Sequence, residues 1–175
     1  MKHFLSAAFL AVISLLGINN PVFSQKSQPY IIKMPAARPL LLEALSLYNS
    51  TVSTKAIKDF RNRFGIVKDE KWVEYKDRFV VSFTTGDIQT KVEYDRRGNW
   101  SGTERDYTEA KLESGIRKIV RAGYADFEIY WVREITLPYF FTGPVYILHI
   151  ENDNNIKTIC VYDEDLKVVE EYPKS

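Results

Sequence analysis

Residues 78–94 read Arg-Phe-Val-Val-Ser-Phe-Thr-Thr-Gly-Asp-Ile-Gln-Thr-Lys-Val-Glu-Tyr, and they decide the fold. Phe79, Val81 and Phe83 recur at every second position. Ile88, Thr90, Val92 and Tyr94 do the same further on. A period of two puts each set on one face of a strand. Between the two sets, Thr85-Gly86-Asp87 is tight-turn chemistry, since glycine accepts backbone conformations that other residues resist. The stretch is therefore a β-hairpin with one apolar face.

Working outward, Lys71–Tyr75 and Trp100–Arg105 read as flanking strands, with Asp95-Arg96-Arg97-Gly98-Asn99 as a second turn. Before them, Ser53 is placed as a helix N-cap. Ala56, Ile57, Phe60 and Phe64 follow at helical spacing and Gly65 is a stop. A second helix is expected over Thr108 to Ala122, with Ala110, Leu112, Ile116, Ile119 and Val120 as its apolar side and Gly123 at its end. Strand-like runs then return at Phe127–Ile135, Val145–Glu151, Ile156–Tyr162 and Leu166–Glu171.

The plan is a helix and four strands, twice. A shift of 68 positions pairs Phe79 with Ile147, Ile88 with Ile156, Val92 with Cys160 and Tyr94 with Tyr162. That match suggests an internal duplication. In its register Val92, Tyr94, Cys160 and Tyr162 all point toward the helices. The face opposite the helices is then polar in the first half (Arg78, Ser82, Thr84, Gln89, Lys91, Glu93), with only Val80 apolar. In the second half it is apolar (Tyr130, Val132, Tyr146, Leu148, Ile150, Ile159, Val161). A large apolar face calls for a partner or an internal cover. Leu40 to Leu47 is the candidate cover.

The first 24 residues read as a signal peptide. Lys2 and His3 precede an apolar run from Phe4 to Ile18. Asn19-Asn20-Pro21 breaks it, and Val22-Phe23-Ser24 suits cleavage before Gln25. The run is shorter than the ~20 residues a spanning helix needs. The expected product is a periplasmic or extracellular protein with no membrane span. Segments 25–52, 53–107 and 108–175 are read as an N-terminal arm with the cover, a first repeat and a second repeat.

The chain has 24 basic and 23 acidic residues, and the leader holds one lysine and no acid, so the remainder is formally neutral. Such a balance gives no electrostatic reason to bind nucleic acid. Cys160 is the only cysteine, so no intramolecular disulfide can form. His149 is the only histidine after the leader. It could meet Cys160 from a neighbouring strand, but nothing suggests a third group to orient the pair. A strand cysteine usually serves as a small apolar residue. No zinc-protease, nucleophile-elbow or phosphate-loop motif is present. The Asx-rich runs at 151–155 and 163–165 lack the spacing of a calcium loop and suit turns. No catalytic residue, metal or cofactor is expected.

Trp72, the run Tyr94-Asp95-Arg96-Arg97-Gly98-Asn99-Trp100 and the Gly123-Tyr124 step after the second helix, together with the repeated helix-and-meander plan, resemble the β-lactamase-inhibitor-like or PepSY-like domains of secreted bacterial proteins. The resemblance implies an α+β fold: tandem helix-plus-four-strand repeats forming one curved antiparallel sheet, with the helices packed on one face. It also implies that the concave face or the hairpin loops bind a partner protein. In the inhibitor, a loop at the place of Thr85-Gly86-Asp87 offers a carboxylate to its target, which points to Gly86 and Asp87. The inhibitor has disulfides and this chain has none. The residues read as partner-binding are Gly86 and Asp87, the aromatic tip Tyr139, Phe140 and Phe141 in the longer hairpin Leu137 to Pro144, and the face residues Tyr146, Leu148 and Ile150. A non-catalytic binding or inhibitory module is the first expectation, and a structural accessory domain of the envelope is the second.

Overall fold

The computed structural model describes residues 52–139 and 142–174. The leader, the arm, the apolar segment Leu40 to Leu47, and Phe140 and Phe141 lie outside the described residues.

The chain forms α1 (Thr54–Phe64) and then β1 (Lys71–Glu74), β2 (Arg78–Thr85), β3 (Ile88–Asp95) and β4 (Trp100–Tyr107). A 3-10 turn (Glu109–Lys111) leads to α2 (Ser114–Gly123). After it come β5 (Glu128–Thr136), β6 (Val145–Glu151), β7 (Asn155–Tyr162) and β8 (Asp165–Pro173). The eight strands make one antiparallel sheet in the order β1-β2-β3-β4-β5-β6-β7-β8. Each strand thus pairs with its neighbour in sequence. Turns of two to four residues close five of the seven pairings, an eight-residue connection (137–144) joins β5 to β6, and the β4–β5 connection contains α2.

α1 forms where Ala56, Phe60 and their neighbours repeat at three to four residues, giving an apolar stripe. Gly65 ends it at φ 66°, a conformation that favours glycine. Ser53 does occupy the N-cap position, but its side chain makes no capping hydrogen bond. Its carbonyl accepts from Ile57 N at 3.1 Å. The second helix is shorter than its periodicity suggests. Leu112 and Glu113 adopt extended backbone and divide the segment into the 3-10 turn and α2. The carbonyls freed by that break are satisfied by a side chain: Arg117 Nη2 donates to Glu109 O at 2.6 Å and to Leu112 O at 3.1 Å. Arg121 grips the Glu109 carboxylate at 2.9 and 3.0 Å and Phe127 O at 2.6 Å. These two arginines set α2 on the sheet.

Residues opposite one another in a ladder share a face. Val81, Val92, Thr103 and Thr136 form one such row, and two positions along β5 the row Glu134, Tyr146, Val161 continues the same face. Both helices sit there. Ala56 and Phe60 of α1 pack with Trp72, Phe79, Val81, Phe83, Val92 and Tyr94. Val120 of α2 packs with Tyr107, Leu112, Phe127, Ile129, Val132, Tyr146, Leu148, Ile150, Ile159 and Val161. The aromatic rings of the first core meet edge to face: Phe60 lies 5.4 Å from Trp72 and 5.5 Å from Phe83.

This arrangement corrects the face assignment of the second half. Val92 and Tyr94 do face α1. Cys160, however, sits in the row Gln89, Asp106, Arg133, Ile147, Cys160, Lys167, on the face that carries neither α1 nor α2 and is helix-free among the described residues. The helix-facing residues of β7 are Ile159 and Val161. The gapless 68-residue register therefore fails. The closing pair of the first hairpin, Thr85–Ile88, lies on the helix face. The closing pair of the second, Glu151–Ile156, lies on the other face. The two hairpins are one residue out of phase, and one residue turns every side chain over.

Candidate functional site: the helix-free face of the sheet

Antiparallel topology sorts the loops between two ends. The β1–β2, β3–β4, β5–β6 and β7–β8 connections lie at one end, with the β2–β3 and β6–β7 turns and α2 at the other. The residues read as partner-binding therefore do not come together. Gly86 and Asp87 form the exposed β2–β3 tip, with Gly86 at φ 59°. Tyr139 is fully exposed at the opposite end with φ 67°. Tyr146, Leu148 and Ile150 are no surface at all: they are 5%, 0% and 0% exposed beneath α2. β6 is buried along nearly its whole length, and a strand buried on both faces gives no alternation to say which face the helix takes.

The helix-free face carries three features. The first is a small apolar cluster of Ile135, Val145, Ile147 and Cys160, with Trp131, Leu137, Tyr162 and Val169 packed against it. Burial there pushes the Cys160 thiol up to about 12. That is the opposite of what a nucleophilic thiolate needs. Along the ladder Cys160 pairs with Ile147 and His149 with Thr158, so the two are not opposed.

The second feature is built by a β-bulge. Ile129 pairs with Ile150 and Trp131 with His149, which leaves Tyr130 as the extra residue. The bulge sets two aromatic rings beside one histidine. His149 lies 4.7 Å from Trp131 and 5.8 Å from Tyr130, centroid to centroid. Arg133 stacks its guanidinium 4.9 Å from the Trp131 ring. Asp106 holds that guanidinium through two hydrogen bonds of 2.7 and 2.8 Å. The hydrogen bonds to Asp106 raise the Arg133 pKa further. Burial, helped by the Arg133 charge, lowers the His149 pKa, so the ring favours its neutral form. Tyr130 is 46% exposed.

The third feature is a groove of about 500 Å3 across β2 to β5, lined by Asp77, Arg78, Glu93, Asp95, Ser101, Gly102, Thr103, Glu104, Ile135 and Leu137. Gly102 lets Leu137 lie close over β4, since a Cβ there would meet the Leu137 side chain at 3.0 Å. Glu93 sits 3.6 Å from Arg78 Nε, beyond hydrogen-bond reach. Burial raises the Glu93 carboxyl pKa against the pull of Arg78. Asp95, at the rim, has its pKa lowered chiefly by the Asn99 side-chain hydrogen bond at 2.8 Å.

Sequence reasoning passed over Arg133, Glu104 and Gly102, whose roles depend on neighbours 27 to 35 residues away. The bulge did leave a trace: Ile129-Tyr130-Trp131-Val132 breaks the period of two with four large residues in a row. Among the described residues, no group of three or more His, Cys, Asp or Glu is placed to hold a metal ion. No helix of the described residues is long and apolar enough to cross a membrane.

Solved structures of similar fold come from Bacteroides species. A DUF2874 family protein from Bacteroides ovatus aligns with a TM-score of 0.55 at 14% identity, covering 71% of this chain and 89% of that one. A BLIP-like protein from Bacteroides fragilis aligns with a TM-score of 0.55 at 13% identity, covering 73% and 90%. A protein from Bacteroides eggerthii, described as a candidate periplasmic protein, gives 0.53 at 12% identity, covering 71% and 90%. At these identities the likeness establishes a BLIP-like fold and nothing finer. No protein-family model matches the chain, and no curated protein does.

Proposed function

We propose that this protein is an exported, non-catalytic binding module that recognises another protein of the envelope or its surroundings through the helix-free face of its sheet. The observation that carries the reading is the group Tyr130, Trp131, Arg133 and His149, assembled around the β5 bulge on a face that neither helix covers. Tyr, Trp and Arg are the residue types that dominate binding energy at protein interfaces. Arg133 is held by Asp106 before any partner arrives, which lowers the ordering cost of binding. Export is supported by the leader and by the Bacteroides eggerthii protein of the same fold. A protein partner is supported by the BLIP-like protein of the same fold. The exposed tips at Gly86-Asp87 and Tyr139 are secondary contacts in this reading, and inhibition is one form such binding takes.

The test is affinity capture of an envelope partner by the wild-type protein and three variants. Tyr130→Asp should abolish capture. Ile66→Asp, which alters an exposed residue outside the sheet, should leave it intact. A partner lost with Asp87→Ala but retained with Tyr130→Asp would move the recognition to the β2–β3 tip and overturn the face assignment.

A further inference from the structure

We propose that His149 is a proton-operated switch for the recognition face: when neutral it braces Tyr130 and Trp131 for binding, and when charged it withdraws and binding weakens. The inference rests on the face proposed above and names what regulates it.

The bracing is geometric. His149 pairs with Trp131 across β5–β6, and the bulge adds Tyr130 to the same rung. The imidazole meets the indole edge to face at 4.7 Å and lies 5.8 Å from the Tyr130 ring. Both are contact distances for aromatic pairs. Tyr130 is 46% exposed, whereas His149 and Trp131 are half-buried behind it. A bulged residue has no cross-strand partner of its own. Tyr130 therefore takes its position from the imidazole.

The surroundings decide what a proton does there. Arg133, two residues along β5, holds its guanidinium 4.9 Å from the same indole. It cannot withdraw, because Asp106 of β4 grips it through two hydrogen bonds and Glu104 lies 3.8 Å away. An imidazolium would have to share one ring with a fixed cation. On the other flank the rung runs to Thr158 of β7 and then to Glu170 of β8. Thr158 is buried and carries no charge, and its neighbour Cys160 stays a neutral thiol. Lys167 of β8 lies opposite Cys160. On β6 itself Glu151 sits 3.4 Å from Lys174, with Glu128 of β5 facing it. Glu170 is thus the carboxylate that favours a charged ring. Burial and the Arg133 charge outweigh it and hold the His149 pKa below 6.5. The strain of protonation in place is relieved when the ring turns away from Arg133, toward Glu170 and water. Tyr130 and Trp131 then lose their backing and open to solvent.

The experiment first reads the switch without a partner, so its failure is distinct from failure of the proposed function. NMR spectra of the exported chain follow the His149 ring protons and the indole signals of Trp72, Trp100 and Trp131 from about pH 7.5 to about pH 5. The expected result is nuclear Overhauser contact between His149 and Trp131 at the upper pH, fading as His149 titrates, while Trp72 and Trp100 stay in place. His149→Gln should hold the Trp131 signal constant over the same range. Should that variant unfold, Glu170→Gln gives a second reading, and it should lower the His149 midpoint and delay the loss of contact. Contacts that persist once His149 is charged overturn the proposal. So does a Trp131 shift of equal size in His149→Gln, or a Glu170→Gln protein that titrates like wild type. With a captured partner, affinity should fall toward acid by at most about tenfold per pH unit, the limit for one linked proton. Wild-type affinity that ignores pH also overturns the switch, while capture itself would leave the recognition face standing.

Discussion

Gly98 lies against Ser53, with no room for a side chain between the β3–β4 turn and the start of α1. A Cβ on Gly98 would collide with Ser53 Oγ and come within 2.9 Å of Ala56 N, and the residue holds φ 76°. Asp95 shapes the turn by accepting from Arg97 N at 2.9 Å and Asn99 N at 2.8 Å. Gly98→Ala is therefore opposed by both conformation and contact. It should destabilise by about 2–3 kcal/mol. Gly86→Ala, with φ 59° and nothing within 4 Å, should cost about 1 kcal/mol. Urea midpoints of the two variants check the difference.

Glu70 is a buried carboxylate at 5% side-chain exposure, closed in by Arg61 and by Trp72 Nε1 at 3.3 Å. Arg61→Ala would leave that charge without its cation. It should cost more than a surface pair does, about 2–4 kcal/mol after allowing for the partial exposure of Arg61. Glu70→Ala with Arg61→Ala should cost less than the two changes summed, with a coupling of about 1–3 kcal/mol. A double-mutant cycle by denaturation measures it.

Cys160 is 3% exposed in the helix-free cluster. Its thiol should react slowly with a disulfide reagent in the native state and quickly in denaturant. The position of the cluster adds a second expectation. Ile147→Ala, on the paired residue across β6–β7, should speed native labelling more than Val120→Ala in α2 does, at equal loss of stability.

His149 gives the fold a defined pH response. Burial holds its folded pKa below the ordinary value of 6.5, so the unfolded chain takes up the proton first. Stability is indifferent to this group above about pH 7. It falls as pH drops through 6.5, and the fall ends once the folded pKa is passed. His149→Gln should flatten the stability curve between about pH 7 and 5 while leaving the acid limb set by carboxylates. Protonation should also quench Trp131 emission, which supplies an optical record of the same event.

Much of the first half was legible in sequence because one face of its strands is polar. Phe79, Val81 and Phe83 against Arg78, Ser82 and Thr84 leave a single solution for the hairpin, and α1 needs only Ala56 and Phe60 to find it. In the second half Tyr146, Ile147, Leu148 and Ile150 are all buried, on alternate faces. There the periodicity fixes a strand but not its orientation, and the site residues assigned by it fell beneath α2. The bulge at Tyr130 left only the run of four large residues, Ile129 to Val132, which does not say how they pair. The groove over Gly102 had no single-segment signature, since it arises where β2 to β5 are laid side by side.

The strictly sequential order of the strands has a kinetic consequence. Seven pairings hold the sheet; five can zip from a turn of two to four residues and β5–β6 from an eight-residue connection, each closing a small loop at little entropic cost. The exception is β4–β5, where Asp106 meets Arg133 only after the chain between them has folded α2 or looped out. That seam should be the slow step in an otherwise local assembly. Arg133→Lys and Asp106→Asn should lower the refolding rate nearly in proportion to the stability they remove, while the unfolding rate stays almost unchanged. A chain released amino end first would thus complete β1 to β4 around α1 promptly. It would then wait on one long closure before the second half could join.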